Sequence, residues 1–251
     1  MKQVIINADD FGINEVVTAE IERQILAGRV SSTTVMANGA CLDEAKRFAA
    51  HHPEVSFGVH LCLSEFDSLT KSEGLFRAGI TDEKGLFVHK AIFGLENLSE
   101  DYVKNAISKE LNSQIDVVES LGFKISHADS HHHVHTIYPL KEMFADVLHK
   151  RGIKKLRLGG DFRTIRMRLH FQRWMQRRRL NNYYRCEFNT VDNFYSFAEF
   201  LKAKTPIRNG ETIELMCHPG HPGLKFQEEI KKLENFSLPN EIRLISYNEI
   251  Y

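Results

Sequence analysis

The segment SHADSHHHVH, residues 126–135, holds five of the chain's 13 histidines and one aspartate. Neutral imidazole is a good ligand for divalent metal ions, and its second ring nitrogen is usually held by a carboxylate or a carbonyl group. Four of these histidines fall within five residues, so one backbone segment cannot direct all four rings at a single ion. We expect one or two of them to be ligands, with Asp129 as a hydrogen-bond partner. A solvated polar loop is the alternative interpretation.

A pair of acids near the start of the chain, Asp9 and Asp10 in NADDFG, follows a strand-like run. Neighbouring side chains on an extended segment point apart, so one carboxylate is free to bind a metal while the other moves a proton. The alternative is that either residue only caps the next helix or makes an Asx turn.

Two further histidines lie near predicted strand ends. His60 stands among apolar residues in FGVHLCL, where a buried core histidine and a ligand are both possible. His218 opens the turn-like HPGHPG after the run TIELMC. Turn chemistry explains the prolines and glycines but not a histidine at the strand end, which we interpret as a general acid or a ligand.

Alternating strands and helices must position these residues. Hydrophobic patterns predict strands at 2–7, 31–39, 55–63, 123–129, 153–158 and 212–218, and helices at 14–28, 42–52, 98–122, 139–151 and near 193–204. The span 64–97 has weak periodicity and is predicted to be a long loop or lid. This alternation is typical of a parallel α/β fold, here one domain over residues 1–251. In parallel folds the carboxyl ends of the strands lie at one edge of the sheet, where all the candidate residues should meet.

Composition narrows the function classes. The 251 residues carry 33 basic and 33 acidic side chains, so no net charge favours nucleic acid or an anionic membrane. Four scattered cysteines predict neither disulfides nor a cysteine zinc site. An acidic start without an apolar run predicts a cytoplasmic protein without a signal peptide, and no stretch is long enough to span a membrane. The stretch 163–182 has seven arginines, and we favour a solvated helical face over an RNA-binding surface.

Four motifs occur together in one order: NADDFG at 7–12, GVHL at 58–61, HADSHHHVH at 127–135 and HPG at 218–220. With them the chain resembles the YdjC-like carbohydrate deacetylases from residue 3 to about residue 220. Ala128 departs from the larger apolar residue expected there, and the arginine-rich stretch cannot be aligned. The resemblance implies a distorted (β/α) barrel related to the polysaccharide deacetylases, an acetylated sugar or oligosaccharide as substrate, and often a homodimer.

The same resemblance implies roles for individual residues. Asp10, His60 and His131 would hold one divalent metal ion, with Asp9 as the base and His218 as the acid. From the residues themselves, and not from the resemblance, we expect Arg157 to orient Asp9 or bind a substrate oxygen, and His127 and Asp129 to support the ligands or contact the substrate. The resemblance favours magnesium, whereas two imidazole ligands favour zinc, cobalt or nickel. The rival functions are another metal-dependent hydrolase, such as a phosphoesterase, and a non-catalytic metal- or RNA-binding protein.

Overall fold

A curled sheet of parallel strands forms the centre of the protein. The computed structural model describes residues 1–160, 171–203 and 206–251. In them the strands are β1 (Lys2–Phe11), β2 (Ser32–Val35), β3 (Ser56–Leu61), β4 (Ala128–Ser130), β5 (Asn193–Ser196), β6 (Thr212–Cys217) and β7 (Ile242–Leu244). Their order is β4-β3-β2-β1-β6-β5, with β7 paired to the start of β1. All these pairs are parallel, and the half-barrel confirms the predicted α/β fold.

Helices connect the strands and flank the sheet. They are α1 (Glu15–Leu26), α2 (Leu42–His51), α3 (Glu73–Arg77), α4 (Asp101–Ser120), α5 (Lys141–Lys150), α6 (Phe171–Glu187), α7 (Phe197–Ala203) and α8 (Leu224–Glu234). The predicted N-cap of α1 is confirmed, because the side chain of Asn14 accepts a hydrogen bond from the Val17 amide at 2.9 Å. Along the described ranges, no helix is long and apolar enough to cross a membrane.

The main errors of the sequence prediction lie at the second half of the sheet. The predicted helix near 193–204 is a strand, β5, followed by the short helix α7. Phenylalanines at 194, 197 and 200 have helical spacing, but residues 193–196 pair in register with β6, and this tertiary pairing overrides the local pattern. The predicted strand 153–158 makes only isolated bridges, from Leu156 to Ala128 and from Lys155 to Asn189. The predicted strand 123–129 is reduced to β4, and α8 and β7 were not predicted.

The 64–97 segment, predicted to be a loop or lid, is anchored irregular structure. It contains α3, and antiparallel bridges join Asp67 to Leu86 and Thr81 to Phe87. The buried carboxylate of Glu110 on α4 accepts hydrogen bonds from the amides of Leu69 and Thr70, both at 2.9 Å. The segment is therefore tied to α4 on one side and can form a fixed wall on the other. Of the arginine-rich stretch, residues 163–170 lie outside the described residues, and residues 171–182 belong to α6.

Candidate active site

An irregularity near the end of β1 positions the two aspartates. The pairing of β1 with β2 shifts register between Ala8 and Phe11, and Asp10 has a φ of 72°, in the left-handed region. Such bulges redirect side chains and are common beside active sites. The sequence had suggested that both aspartates follow the first strand, but both lie within β1. Each is 1% exposed, so their charges must be paired within the protein.

Asp10 is the centre of a group of imidazoles. Its Oδ1 lies 3.1 Å from His60 Nε2 and 2.9 Å from His131 Nδ1. These residues come from the carboxyl-terminal ends of β1 and β3 and from the turn after β4. On the far side of its ring, His60 Nδ1 lies 2.6 Å from the Asp129 carboxylate, which the Thr34 hydroxyl also contacts at 3.1 Å. The predicted support from Asp129 thus goes to His60 rather than to a histidine of its own loop.

This group fits one divalent cation. One ligand atom from each of Asp10, His60 and His131 lies within 4.8 Å of the other two. Asp10 Oδ2 is buried, and although His221 Nε2 lies 3.0 Å away, the two atoms do not have hydrogen-bond geometry, so this oxygen can still accept a cation. Burial lowers the pKa of His60, but Asp129 and Asp10 more than offset it, so the net pKa is well above its ordinary value. The surroundings therefore stabilise positive charge at this point, which is what a cation site requires.

Asp9 belongs to a second buried network, which we call the floor: Asp9, Asp129, Arg157, Glu214 and Tyr247. The Arg157 guanidinium donates to both Asp9 oxygens at 2.6 and 2.7 Å and lies 2.6 Å from Asp129 and 2.7 Å from Glu214. The Tyr247 hydroxyl donates to Glu214 at 2.5 Å. Burial raises the pKa of Asp9, but Arg157 outweighs it and holds that pKa well below the ordinary range. Asp9 is therefore an ionised carboxylate across the working pH range.

The histidines after β4 diverge. His132 and His133 have φ values of 52° and 57°, and this left-handed backbone turns successive rings in different directions. His131 faces Asp10, His132 Nδ1 contacts the Ser64 hydroxyl at 2.9 Å, and His135 Nδ1 contacts the Ser130 hydroxyl. Burial, with a contribution from Arg157, lowers the pKa of His133 to about 3, which keeps that ring neutral. This geometry agrees with the expectation that the four histidines of residues 131–135 cannot all serve one ion.

The turn after β6 brings two histidines to the site. Gly220 has a φ of 82°, and a Cβ there would lie 2.8 Å from the Cα of Val17, so the turn lies directly against α1. This contact places His221 Nε2 3.0 Å from Asp10 Oδ2. His218 is anchored through its amide, which donates to Glu229 at 2.7 Å, and its ring remains partly exposed.

These groups open into one cavity of about 810 Å³. Asp9, Asp10, His60, His131 and His218 all line it, whereas Asp129, Arg157 and His127 lie beneath or beside it. His127 stacks on Tyr247, with ring centroids 3.7 Å apart. The 64–97 segment supplies part of the cavity wall, and the turn before α8 together with the start of α8 supplies another part. The remaining lining residues are Ile13, Asn14, Glu65, Phe66, Lys90, Phe93, His132, His133, Met216, His221, Lys225 and Phe226.

Two residues at the centre of the site, His221 and Glu65, were not predicted from the sequence. His221 lies in HPGHPG, where only the first histidine was selected, although the second stands just three residues later. Glu65 lies five residues after His60, beyond the end of β3, and its Oε2 is 2.9 Å from His131 Nε2. An acid just past a strand that carries a candidate ligand was an available signal for Glu65. The sequence offers no comparable signal that His221 faces Asp10.

Comparison with known proteins agrees with this arrangement. The sequence profile described as YdjC-like protein matches residues 3–247. A carbohydrate deacetylase of Vibrio cholerae serotype O1 (strain O395) is 31% identical over 86% of this chain and 78% of its own length. One from Geobacillus stearothermophilus is 28% identical over 98% of this chain and 97% of its own.

A solved structure gives the same fold. A protein of Enterococcus faecalis V583 named for cellobiose-phosphate cleavage superposes with a TM-score of 0.71 at 24% identity, covering 98% of this chain and 97% of that one. With the profile match over nearly the whole length, the chain belongs to the YdjC-like family.

Proposed function

We propose that this protein is a metal-dependent hydrolase that removes acetyl groups from N-acetylated sugars or short oligosaccharides. The observation that carries the proposal is the convergence of Asp10, His60 and His131 on one side of a cavity that Asp9 and His218 also line. Three protein ligands leave positions open for water and substrate, as in catalytic rather than structural metal sites. The relatives named carbohydrate deacetylase support the choice of substrate.

A bound divalent ion at Asp10, His60 and His131 would act as a Lewis acid on the acetamide carbonyl. Asp9, which Arg157 keeps ionised and oriented, would accept a proton from the attacking water. His218, from the turn after β6, would protonate the nitrogen of the leaving amine. Because its ring is partly exposed, it can exchange protons with solvent between turnovers.

The cavity walls suit a sugar ring. Phe66, Phe93 and Phe226 offer aromatic faces, while His133 and Lys90 offer polar groups for hydroxyls. Pyranose rings present both apolar C–H faces and hydroxyl edges, so mixed walls of this kind favour them over purely apolar ligands. One catalytic domain spanning 1–251 and a homodimer complete the proposal. Magnesium, zinc, cobalt and nickel remain the candidate ions, since the donor set combines one carboxylate with two imidazoles.

Acetate release from a panel of N-acetylated mono- and disaccharides tests this proposal. Chelator-treated protein should be inactive, and adding back individual metal ions should restore release. A chromogenic phosphate ester assayed in parallel should remain intact. Hydrolysis of the phosphate ester with no acetate release from any sugar would overturn the deacetylase assignment in favour of a phosphoesterase.

Substitutions at the two aspartates separate base from ligand. Asp9→Asn should retain bound metal and lose about 10²–10⁴-fold in kcat, the usual contribution of a general base. Asp10→Asn, His60→Ala and His131→Ala should lose metal and activity together. His51→Ala, at an exposed site on α2, is the matched control and should change neither. Full activity in Asp9→Asn would remove Asp9 from the mechanism.

A further inference from the structure

Glu65, which the proposed mechanism does not use, contacts the outer nitrogen of a proposed metal ligand. The His131 ring presents Nδ1 to Asp10 Oδ1 at 2.9 Å and Nε2 to Glu65 Oε2, also at 2.9 Å. A neutral imidazole carries a proton on one nitrogen only, and the other nitrogen offers the lone pair. If Nε2 carries the proton and donates a hydrogen bond to Glu65, the lone pair of Nδ1 is directed towards Asp10.

The neighbouring ligand is held in the same way by a different acid. His60 donates from Nδ1 to Asp129 at 2.6 Å and turns Nε2 towards Asp10. Each imidazole therefore lies between Asp10 and a second carboxylate on its far side. Carboxylates in this outer position orient a ligating histidine, select its tautomer and raise its basicity. The two differ in location, because Asp129 is fully buried on β4 whereas the Glu65 side chain is 39% exposed.

The backbone around Glu65 is built to hold this contact. Its carbonyl oxygen accepts from the Cys62 thiol at 3.2 Å and from the Asn38 amide at 3.5 Å. The next residue, Phe66, has a φ of 67°, a left-handed conformation that is unfavourable for a bulky side chain. This conformation places the Phe66 ring 6.2 Å from the ring of His131. Such strain persists where the surrounding structure over-determines it, commonly beside functional groups.

We propose that Glu65 is a positioning residue for metal binding. By accepting the Nε2–H of His131 it fixes the tautomer whose Nδ1 faces the cation, and so raises the affinity of the site. This inference rests on the proposed function only for the ligand set of Asp10, His60 and His131. It makes the 64–97 segment part of the metal centre, since that segment supplies the group that orients one ligand.

Zinc affinity tests the inference without any substrate. The metal-free full chain is titrated with Zn²⁺ in competition with a chromogenic chelator. Glu65→Ala should bind zinc about 10–100-fold more weakly, the usual cost of losing an outer carboxylate partner. Glu65→Gln should recover part of this loss, because its amide oxygen still accepts a hydrogen bond. Asp67→Ala, which removes a negative charge two residues away on the same exposed segment, is the matched control and should bind like wild type.

A nuclear magnetic resonance experiment reads the tautomer directly. Two-bond ¹⁵N–¹H correlations of the zinc-loaded protein, assigned with His131→Ala, should show the His131 proton on Nε2. A proton on Nδ1 would overturn the inference, because His131 would then ligate through the nitrogen that faces Glu65.

The outcomes separate this inference from the function it rests on. If His131→Ala loses zinc but Glu65→Ala binds as tightly as wild type, Glu65 has no positioning role and the metal site stands. If wild type binds two zinc ions and Glu65→Ala binds one with unchanged affinity, Glu65 is a ligand of a second ion, and the inference is wrong. If His60→Ala and His131→Ala both bind zinc like wild type, the ligand set itself fails and the inference fails with it.

Discussion

The floor of the site and its rim differ in burial, in charge pairing and in backbone conformation. The floor groups arise mainly from strands or bridged segments and are almost completely buried. Its one guanidinium is shared by three carboxylates, so its members hold one another in place. We call the rim the following five of the residues that line the cavity: Glu65, Phe66, Lys90, His132 and His133. The rim residues lie in turns and irregular segments and are half-buried or exposed.

Left-handed backbone is also frequent in the rim, where four of the five residues have a positive φ. Within the described residues, six non-glycine residues have positive φ, and five of them border the cavity: Asp10, Phe66, Lys90, His132 and His133. The sixth, Lys71, does not. Left-handed conformations cost free energy for such residues and persist where function or packing requires them. Burial and mutual pairing therefore hold the floor groups in place, whereas the rim accepts strained backbone that aims its side chains into the cavity.

The largest effect on stability should come from replacing Arg157, whose guanidinium is the only positive group of the floor. Arg157→Met removes the guanidinium that three buried carboxylates share. We expect a loss of about 3–5 kcal/mol in the free energy of unfolding, measured by urea denaturation. The matched control is Arg151→Met. Arg151 also pairs with two acids, Asp116 and Glu119, but near the surface, where such pairs contribute less than about 1 kcal/mol. Equal losses in the two variants would contradict the distinction between floor and surface.

A smaller effect on stability is expected from replacing Tyr247, the floor residue that donates to Glu214, and this effect should depend on pH. Burial raises the pKa of Glu214 from 4.5 to about 6, although Arg157 and the Tyr247 hydroxyl oppose the shift. Tyr247→Phe removes a donor to the ionised carboxylate and should cost about 1–3 kcal/mol at pH 8.

The sign of this pH dependence follows from proton linkage. The folded protein retains the Glu214 proton between pH 4.5 and about 6, whereas the unfolded chain has lost it. Stability from this group therefore falls as pH rises through that window. In Tyr247→Phe the folded pKa is higher still, so the variant should be closest to wild type at pH 5 and furthest from it at pH 8. Urea denaturation at both values checks this, and a larger deficit at pH 5 would show that Glu214 is not the group concerned.

The smallest effect on stability should come from the rim. Lys90 has a φ of 56°, so Lys90→Gly relieves strain while adding freedom to the unfolded chain, and stability should change by less than about 1 kcal/mol. Loss of its ammonium from the cavity should still raise KM for the sugar. Lys71→Gly, with a φ of 42° and no contact with the cavity, should leave KM unchanged. If Lys90→Gly lowered stability as much as Arg157→Met, the expected difference in stability between floor and rim would be contradicted.

Much of the architecture could be predicted because it depends on local patterns. Apolar runs and their periodicity indicated the first three strands and the helices α1, α2, α4 and α5, and strand-end placement indicated that Asp10, His60 and His131 would meet. The prediction failed where pairing between distant segments decides the conformation. β5 became a strand through its register with β6, and residues 153–158 bridge the sheet without forming a regular strand.

The sequence by itself determined which chemistry is available: two adjacent aspartates, a dense run of histidines and a second histidine turn, at the ends of strands in a parallel fold. Only the tertiary structure decided which partner each group has. Asp129 supports His60 rather than its own loop, Glu65 reaches His131, and His221 faces Asp10. These choices depend on a register shift in β1 and on left-handed residues in the turns. Both arise from long-range packing that places strained backbone where no local propensity favours it.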